Sequence, residues 1–123
     1  MPEQLVTDIG SRDFDNLIAG GQENITTGVV TLKGGNQYTR GTVVGLLTAD
    51  GSSVIVDSSK SDGSERPYGI LTDDVDTTDG DMEAVVYLTG EFNEDKLTFG
   101  GADTPGNHRQ SLREMGIFIK KIG

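Results

Sequence analysis

Tyr38-Thr39-Arg40-Gly41-Thr42-Val43-Val44-Gly45, then Pro67-Tyr68-Gly69-Ile70-Leu71, then Asp79-Gly80-Asp81 leading into Ala84-Val85-Val86-Tyr87-Leu88-Thr89-Gly90 are the phrases on which the fold turns. Each joins a short β-branched or aromatic run to a glycine. Such runs fit a pleated, half-buried surface, and glycine within them marks a bulge, a bend or a close backbone approach, as at the corners of a small barrel. Working outward, strands are expected over residues 29–32, over 38–48 with breaks at Gly41 and Gly45, over 53–57, after Pro67, over 84–88 as the core strand, over 96–99 and over 117–122. Gly90 should bend the core strand into Glu91-Phe92-Asn93, and Asp50-Gly51 and Asp62-Gly63 read as turns. Asn107 and Gln110 have capping-box spacing and Gly116 stands where a helix ends, which predicts one short helix over residues 108–115. The fold class is therefore mainly β: a small glycine-rich β-barrel with one short helix near the C-terminus and an extended N-terminal arm.

Two units are expected, an arm over residues 1–25 and a single barrel domain over 26–123. In the arm Leu5, Val6, Ile9, Phe14, Leu17 and Ile18 are scattered among polar residues. Leu5, Thr7 and Ile9 alternate as in a strand, whereas Phe14, Leu17 and Ile18 have the i, i+3, i+4 spacing of a helical turn, and the residues leave both readings open. They also leave open a frayed terminus or an arm that orders only against a partner.

Composition narrows the function classes. The chain has 123 residues, 33% of them hydrophobic and 18 of them glycine, so its core is modest and burial between subunits is expected. Ten basic residues against twenty acidic ones give a net charge of -10, the wrong sign for a direct nucleic-acid binder. The chain has no cysteine, which removes disulfides, zinc thiolates and Cys nucleophiles. No apolar run is long enough for a signal peptide or a membrane span.

Searches for chemistry give little. Residues 73–81 are acidic, but aligning Asp74 and Asp76 to an EF-hand puts Asp79 at the glycine position and Val85 at the last ligand position, so a solvated turn is expected and no metal site. His108 has no Gly-x-Ser-x-Gly elbow to pair with, and it is expected at the helix start with Asn107. No phosphate-binding glycine motif is present, and no Trp is available to stack a sugar beside a carboxylate pair. Tyr38, Tyr68 and Tyr87 are expected to pack in or at the mouth of the barrel, and Arg40 to face solvent from a strand. Neither catalytic nor cofactor-binding nor metal-binding residues are assigned, and no cofactor is expected.

The phrases in their order carry more. Leu32, Gly35, Tyr38-x-Arg40-Gly41-Thr42-Val43-Val44-Gly45, Tyr68-Gly69-Ile70-Leu71, Asp79-Gly80-Asp81, Gly90 and Gly116-Ile117 together resemble the lambda-type head decoration proteins of tailed bacteriophages and prophages, from about residue 16 to residue 122. That resemblance implies a tapered barrel and a homotrimer on the outside of the expanded head at threefold and quasi-threefold positions. It also implies a partner in the major capsid protein, a stabilising role against the pressure of packaged DNA, and no enzymatic activity. The protein would be made in the bacterial cytoplasm and reside in the virion. The arm residues Leu5, Val6, Ile9, Phe14, Leu17 and Ile18 are then the expected capsid contacts. The alternative is another virion part or a surface-binding β-module, such as a carbohydrate-recognising one, which symmetry and glycan binding would separate from it.

Overall fold

The computed structural model describes Ile18 and residues 25–120. Among the described residues the strands are β1 (Thr26–Leu32), β2 (Gln37–Tyr38), β3 (Val43–Leu46), β4 (Ser53–Ile55), β5 (Gly69–Leu71), β6 (Val75–Asp76), β7 (Met82–Asn93) and β8 (Ile117–Lys120), with one α-helix, α1 (Pro105–Met115), before β8. The main sheet runs β1-β4-β3-β5-β7-β8, and β1 also pairs with β7, which closes five strands into a barrel. β2 and β6 form a separate ribbon over one end.

β7 is the organising strand. Its first half is antiparallel to β1 from Thr89 to Met82 and to β5 at Tyr87 and Val86, and from Gly90 onward it runs parallel to β8. Alternation along β1 and β7 sorts the side chains. Val30, Leu32, Ala84 and Val86 are buried in the lumen with Tyr38, Val44 and Leu71, while Val29 and Val85 face outward. β3 and β5 are instead buried on both faces, as uninterrupted apolar runs require. Val44 and Leu71 look into the lumen, and their neighbours Val43 and Ile70 join Val56, Phe92, Leu112, Ile117 and Ile119 in a second core beneath α1. Fully burying a side chain such as Leu112 or Phe92 contributes about 1.5–3 kcal/mol, so the helix is held mainly by packing rather than by its own propensity.

The expected helix is present but begins a turn earlier, at Pro105. Pro suits the first turn because its missing N–H has no helical partner there, and the Asn107 side-chain Oδ1 accepts the Thr104 amide at 2.6 Å. Gln110 does not serve the cap; it donates to Glu114. Gly116 ends the helix in the left-handed region, as its position predicts.

The break expected at Gly41 is present: Gly41 (φ 93°) makes a turn after Tyr38, and the chain resumes as β3 from Val43 to Leu46. Three expectations need correction. Gly45 does not break β3. It lies inside it, and the reason for glycine there is space: a Cβ would stand 2.5 Å from the Arg66 carbonyl oxygen and 3.0 Å from Ser64 Cα. Residues 96–99 form no strand; a 3-10 turn covers Glu94–Lys96, capped by Asn93, and Thr98 makes a single bridge to Thr42. Arg40 is likewise in the turn, half-buried, with Nη1 donating to the Thr72 carbonyl at 2.8 Å and approaching the Tyr87 hydroxyl at 3.4 Å. The tyrosines pack as expected: Tyr38 is buried in the lumen core and Tyr87 leans on Phe92 at 5.3 Å between ring centres.

The close approach at Gly45 is testable. Gly45→Ala should destabilise the barrel by about 1–3 kcal/mol, since backbone and not a flexible side chain must give way. A denaturant midpoint equal to wild type would show that the Arg66 segment does not sit against β3.

Candidate functional site

The described residues contain no cluster of His, Cys, Asp and Glu able to hold a metal ion. The acidic segment shows what its carboxylates do instead. Asp74 Oδ1 accepts the Arg40 amide, Asp81 Oδ1 accepts the Gly34 amide, and Asp76 Oδ1 takes the amide and hydroxyl of Thr78. The last arrangement recurs as Asp50–Ser52, Asp57–Ser59 and Asp62–Ser64, each an Asp whose Oδ1 accepts both N–H and O–H from the residue two further on. The Ser52 amide chiefly lowers the Asp50 carboxyl below the ordinary carboxylate range, and the neighbouring hydroxyl chiefly lowers Asp57, Asp62 and Asp76. Much of the acidity therefore closes turns. The Asp-x-Ser/Thr spacing was readable in the sequence, where the glycines drew the attention.

A groove of about 580 Å³ is lined by Tyr38, Lys33 and Lys60 together with Asp57 and Asp62. These two carboxylates do not make a glycosidase pair. Such a pair needs one acid with a raised pKa, and both of these are held low by their own turns.

His108 is buried, stacked on Phe99 with ring centres 5.4 Å apart, and its Nε2 lies 2.7 Å from Asp103 Oδ2. Asp103 also accepts the amide and the hydroxyl of Ser58. The order is Ser–Asp–His, with the carboxylate in the middle, so the imidazole cannot take a proton from the serine as it does in a hydrolytic triad. The group is a clip that ties the loop after β4 to the start of α1. Burial works against the Asp103 charge, but the hydrogen bonds with Ser58 and His108 outweigh it and keep the carboxyl below its ordinary range.

The surface with most to offer is the end of the barrel where Ile18 and β8 meet β7. Ile18 forms an antiparallel bridge with Phe92, is half-buried, and packs against the second core. Phe92 also pairs with Ile119 of β8. A strand residue has two edges, so Ile18 and β8 flank the same residue of β7. Of the expected arm contacts, Leu5, Val6, Ile9, Phe14 and Leu17 lie outside the described residues, as does the choice between strand and helical turn. Sequence reasoning missed Phe118, which stands 48% exposed on the outer face of β8; its alternation with buried Ile117 and Ile119 was the available signal.

The depressed aspartates predict an acid limit. Each contributes stability that is complete above its unfolded pKa, near 4, and is lost as pH falls through its lower folded value. Stability should hold level above about pH 4 and decline below it, and Asp103→Asn should lower the plateau while making the acid decline shallower. Denaturant midpoints measured across pH check this; a variant whose acid decline matches wild type would remove Asp103 from the account.

No curated protein sequence matches the chain. Among protein families, one does match, over residues 6–117, and its description is bacteriophage lambda head decoration protein D. The match takes in the barrel, the helix, the first residue of β8 and residues 6–25 ahead of the barrel. It agrees with the family suggested by the order of the glycine phrases, and the closed barrel and short C-terminal helix agree with the fold expected of it. Members of this family are structural proteins of the phage capsid. The chain belongs to the bacteriophage lambda head decoration protein D family.

Proposed function

We infer that the protein binds as a homotrimer to the outside of the expanded head, at threefold and quasi-threefold positions, and stabilises it against the pressure of packaged DNA. The observation that carries the reading is the family match across residues 6–117, which includes the arm as well as the barrel. The mechanism is linkage. A protein that binds the expanded lattice and not its precursor stabilises the former by the difference in binding free energy. A trimer brings three arms to the lattice together, so weak individual contacts multiply through effective concentration, by roughly a hundredfold where the geometry allows.

Residues 1–25 serve as the arm, with Leu5, Val6, Ile9, Phe14 and Leu17 as its contacts and Ile18 as its anchor on Phe92. The position of Ile18 supports this, because it starts the arm from a fixed point on β7 and limits the volume it must search. For the subunit contact, the outer face of the β1–β7 ribbon is the natural candidate. Val29 and Val85 are directly opposite one another across the ladder and are 65% and 44% exposed. A paired apolar face of this kind gains from burial against a copy of itself.

Deleting residues 1–16, which spares Ile18, should leave the oligomer intact and reduce occupancy on expanded heads at least tenfold; heads decorated as fully as with wild type would refute the arm. Separately, Val85→Asp should shift the trimer to monomer in sedimentation while the fold survives, since the side chain points outward. A trimer unchanged by that substitution would place the subunit contact elsewhere.

A further inference from the structure

The basic residues are unevenly placed. Residues 109–121 hold four of the ten, Arg109, Arg113, Lys120 and Lys121, with Glu114 as the single acid among them. The C-terminal segment is thus positive in a chain whose net charge is -10. In the fold Arg109 and Arg113 on α1 and Lys120 on β8 border an open groove of about 270 Å³, with Phe118 on its wall and Glu91 as the one carboxylate lining it. Phe118 is half exposed, an unusual position for a ring unless something covers it.

The cations are not equally engaged. Arg109 Nη2 lies 2.9 Å from Glu94, and Lys120 Nζ lies 3.1 Å from Glu91. Arg113 makes no ion pair among the described residues. Arg109 has a second task. The Gly90 amide donates to Gly116 O, and in a parallel ladder the N–H and C=O of one residue point the same way while its neighbours point the other. Phe118 and Lys120 therefore turn their backbone toward β7, and Ile117 and Ile119 turn theirs outward, where Arg109 Nη1 reaches Ile119 O at 3.1 Å. β8 ends the sheet among the described residues, and Arg109 blunts that edge against strand addition. What the surface offers a partner is side chains: an exposed ring with Arg113 and Lys120 beside it.

We propose that Phe118, Arg113 and Lys120 form a second docking surface for the shell, taking an acidic protein segment that seats an apolar side chain against the Phe118 ring. This rests on the capsid-binding reading above and adds to the arm a contact made by the folded domain. Two observations choose the occupant. The positive charge calls for an acidic partner, and the surface continues the stretch of β7 that already anchors Ile18, so one lattice subunit can meet both. An aromatic ring flanked by cations is also the composition that concentrates binding energy in protein interfaces.

The test uses the full-length protein on expanded heads, comparing wild type with Arg113→Glu and Phe118→Ser, both at side chains that the fold does not bury. Each variant should remain a folded trimer and bind at least tenfold more weakly, and Arg113→Glu should also flatten the salt dependence of binding. Wild-type affinity in both variants overturns the proposal and leaves the capsid-binding reading standing; a wild-type protein that ignores expanded heads overturns that reading as well. Dissociation of a variant trimer would mean that the surface meets a second copy. Loss of effect once residues 1–16 are deleted would mean that it holds the chain's own acidic arm, and competition by naked duplex DNA would mean a nucleic-acid contact. Any of these three also overturns it.

Discussion

The pairing of β1 with β7 is the constraint on which the rest depends. It spans the whole of β1, from Thr26 to Leu32, and turns an open sheet into a closed barrel. In a chain with 18 glycines and 33% hydrophobic residues, closure does what a larger core does elsewhere: it gives every barrel strand two neighbours, with β1 and β4 joined at Leu32 and Ser53, and surrounds a small lumen with Val30, Leu32, Ala84 and Val86. Once β7 has served β1 and β5, its remaining residues pass beyond the barrel and are free to take β8 on one edge and Ile18 on the other.

The second core follows from the same geometry. β3 and β5 are crossed by the lumen on one side and by α1 on the other, so Val43 and Ile70 must be apolar as well as Val44 and Leu71. The Ser58–Asp103–His108 clip fixes the start of α1 over that layer, and Arg109 fixes its outer face to β8. Helix, last strand and Ile18 thereby meet at one end of the barrel. Contacts that the fold already holds in place lose little entropy when a partner binds them.

The acidic composition has a local and a general consequence. Locally, four Asp-x-Ser/Thr turns replace the longer loops or extra side chains that would otherwise satisfy turn amides. In general, a net charge of -10 favours solubility at high local concentration.

Much was legible in the residues themselves. The β-branched and apolar runs in β1 and β7, the Asp-Gly turns, Pro67 before a strand and Gly116 after the helix are local signals, and they place the barrel strands and the helix within a few residues. The ordered glycine phrases carried the family, and so the role in the capsid. What required the tertiary structure were the features made by distant segments. Gly45 looked like a break and proved to be a place where the Arg66 backbone must come close; residues 96–99 had strand-like composition but no neighbour to pair with beyond Thr42. Arg40 looked solvent-facing until Thr72 and Tyr87 were seen beside it. The union of Ile18, Phe92 and Phe118 at one end was likewise invisible, since their sequence positions are far apart and only the parallel pairing of β7 with β8 brings them together. Local backbone preference and hydrophobic period are written residue by residue; which surfaces meet depends on how the barrel closes, and that is a property of the whole chain.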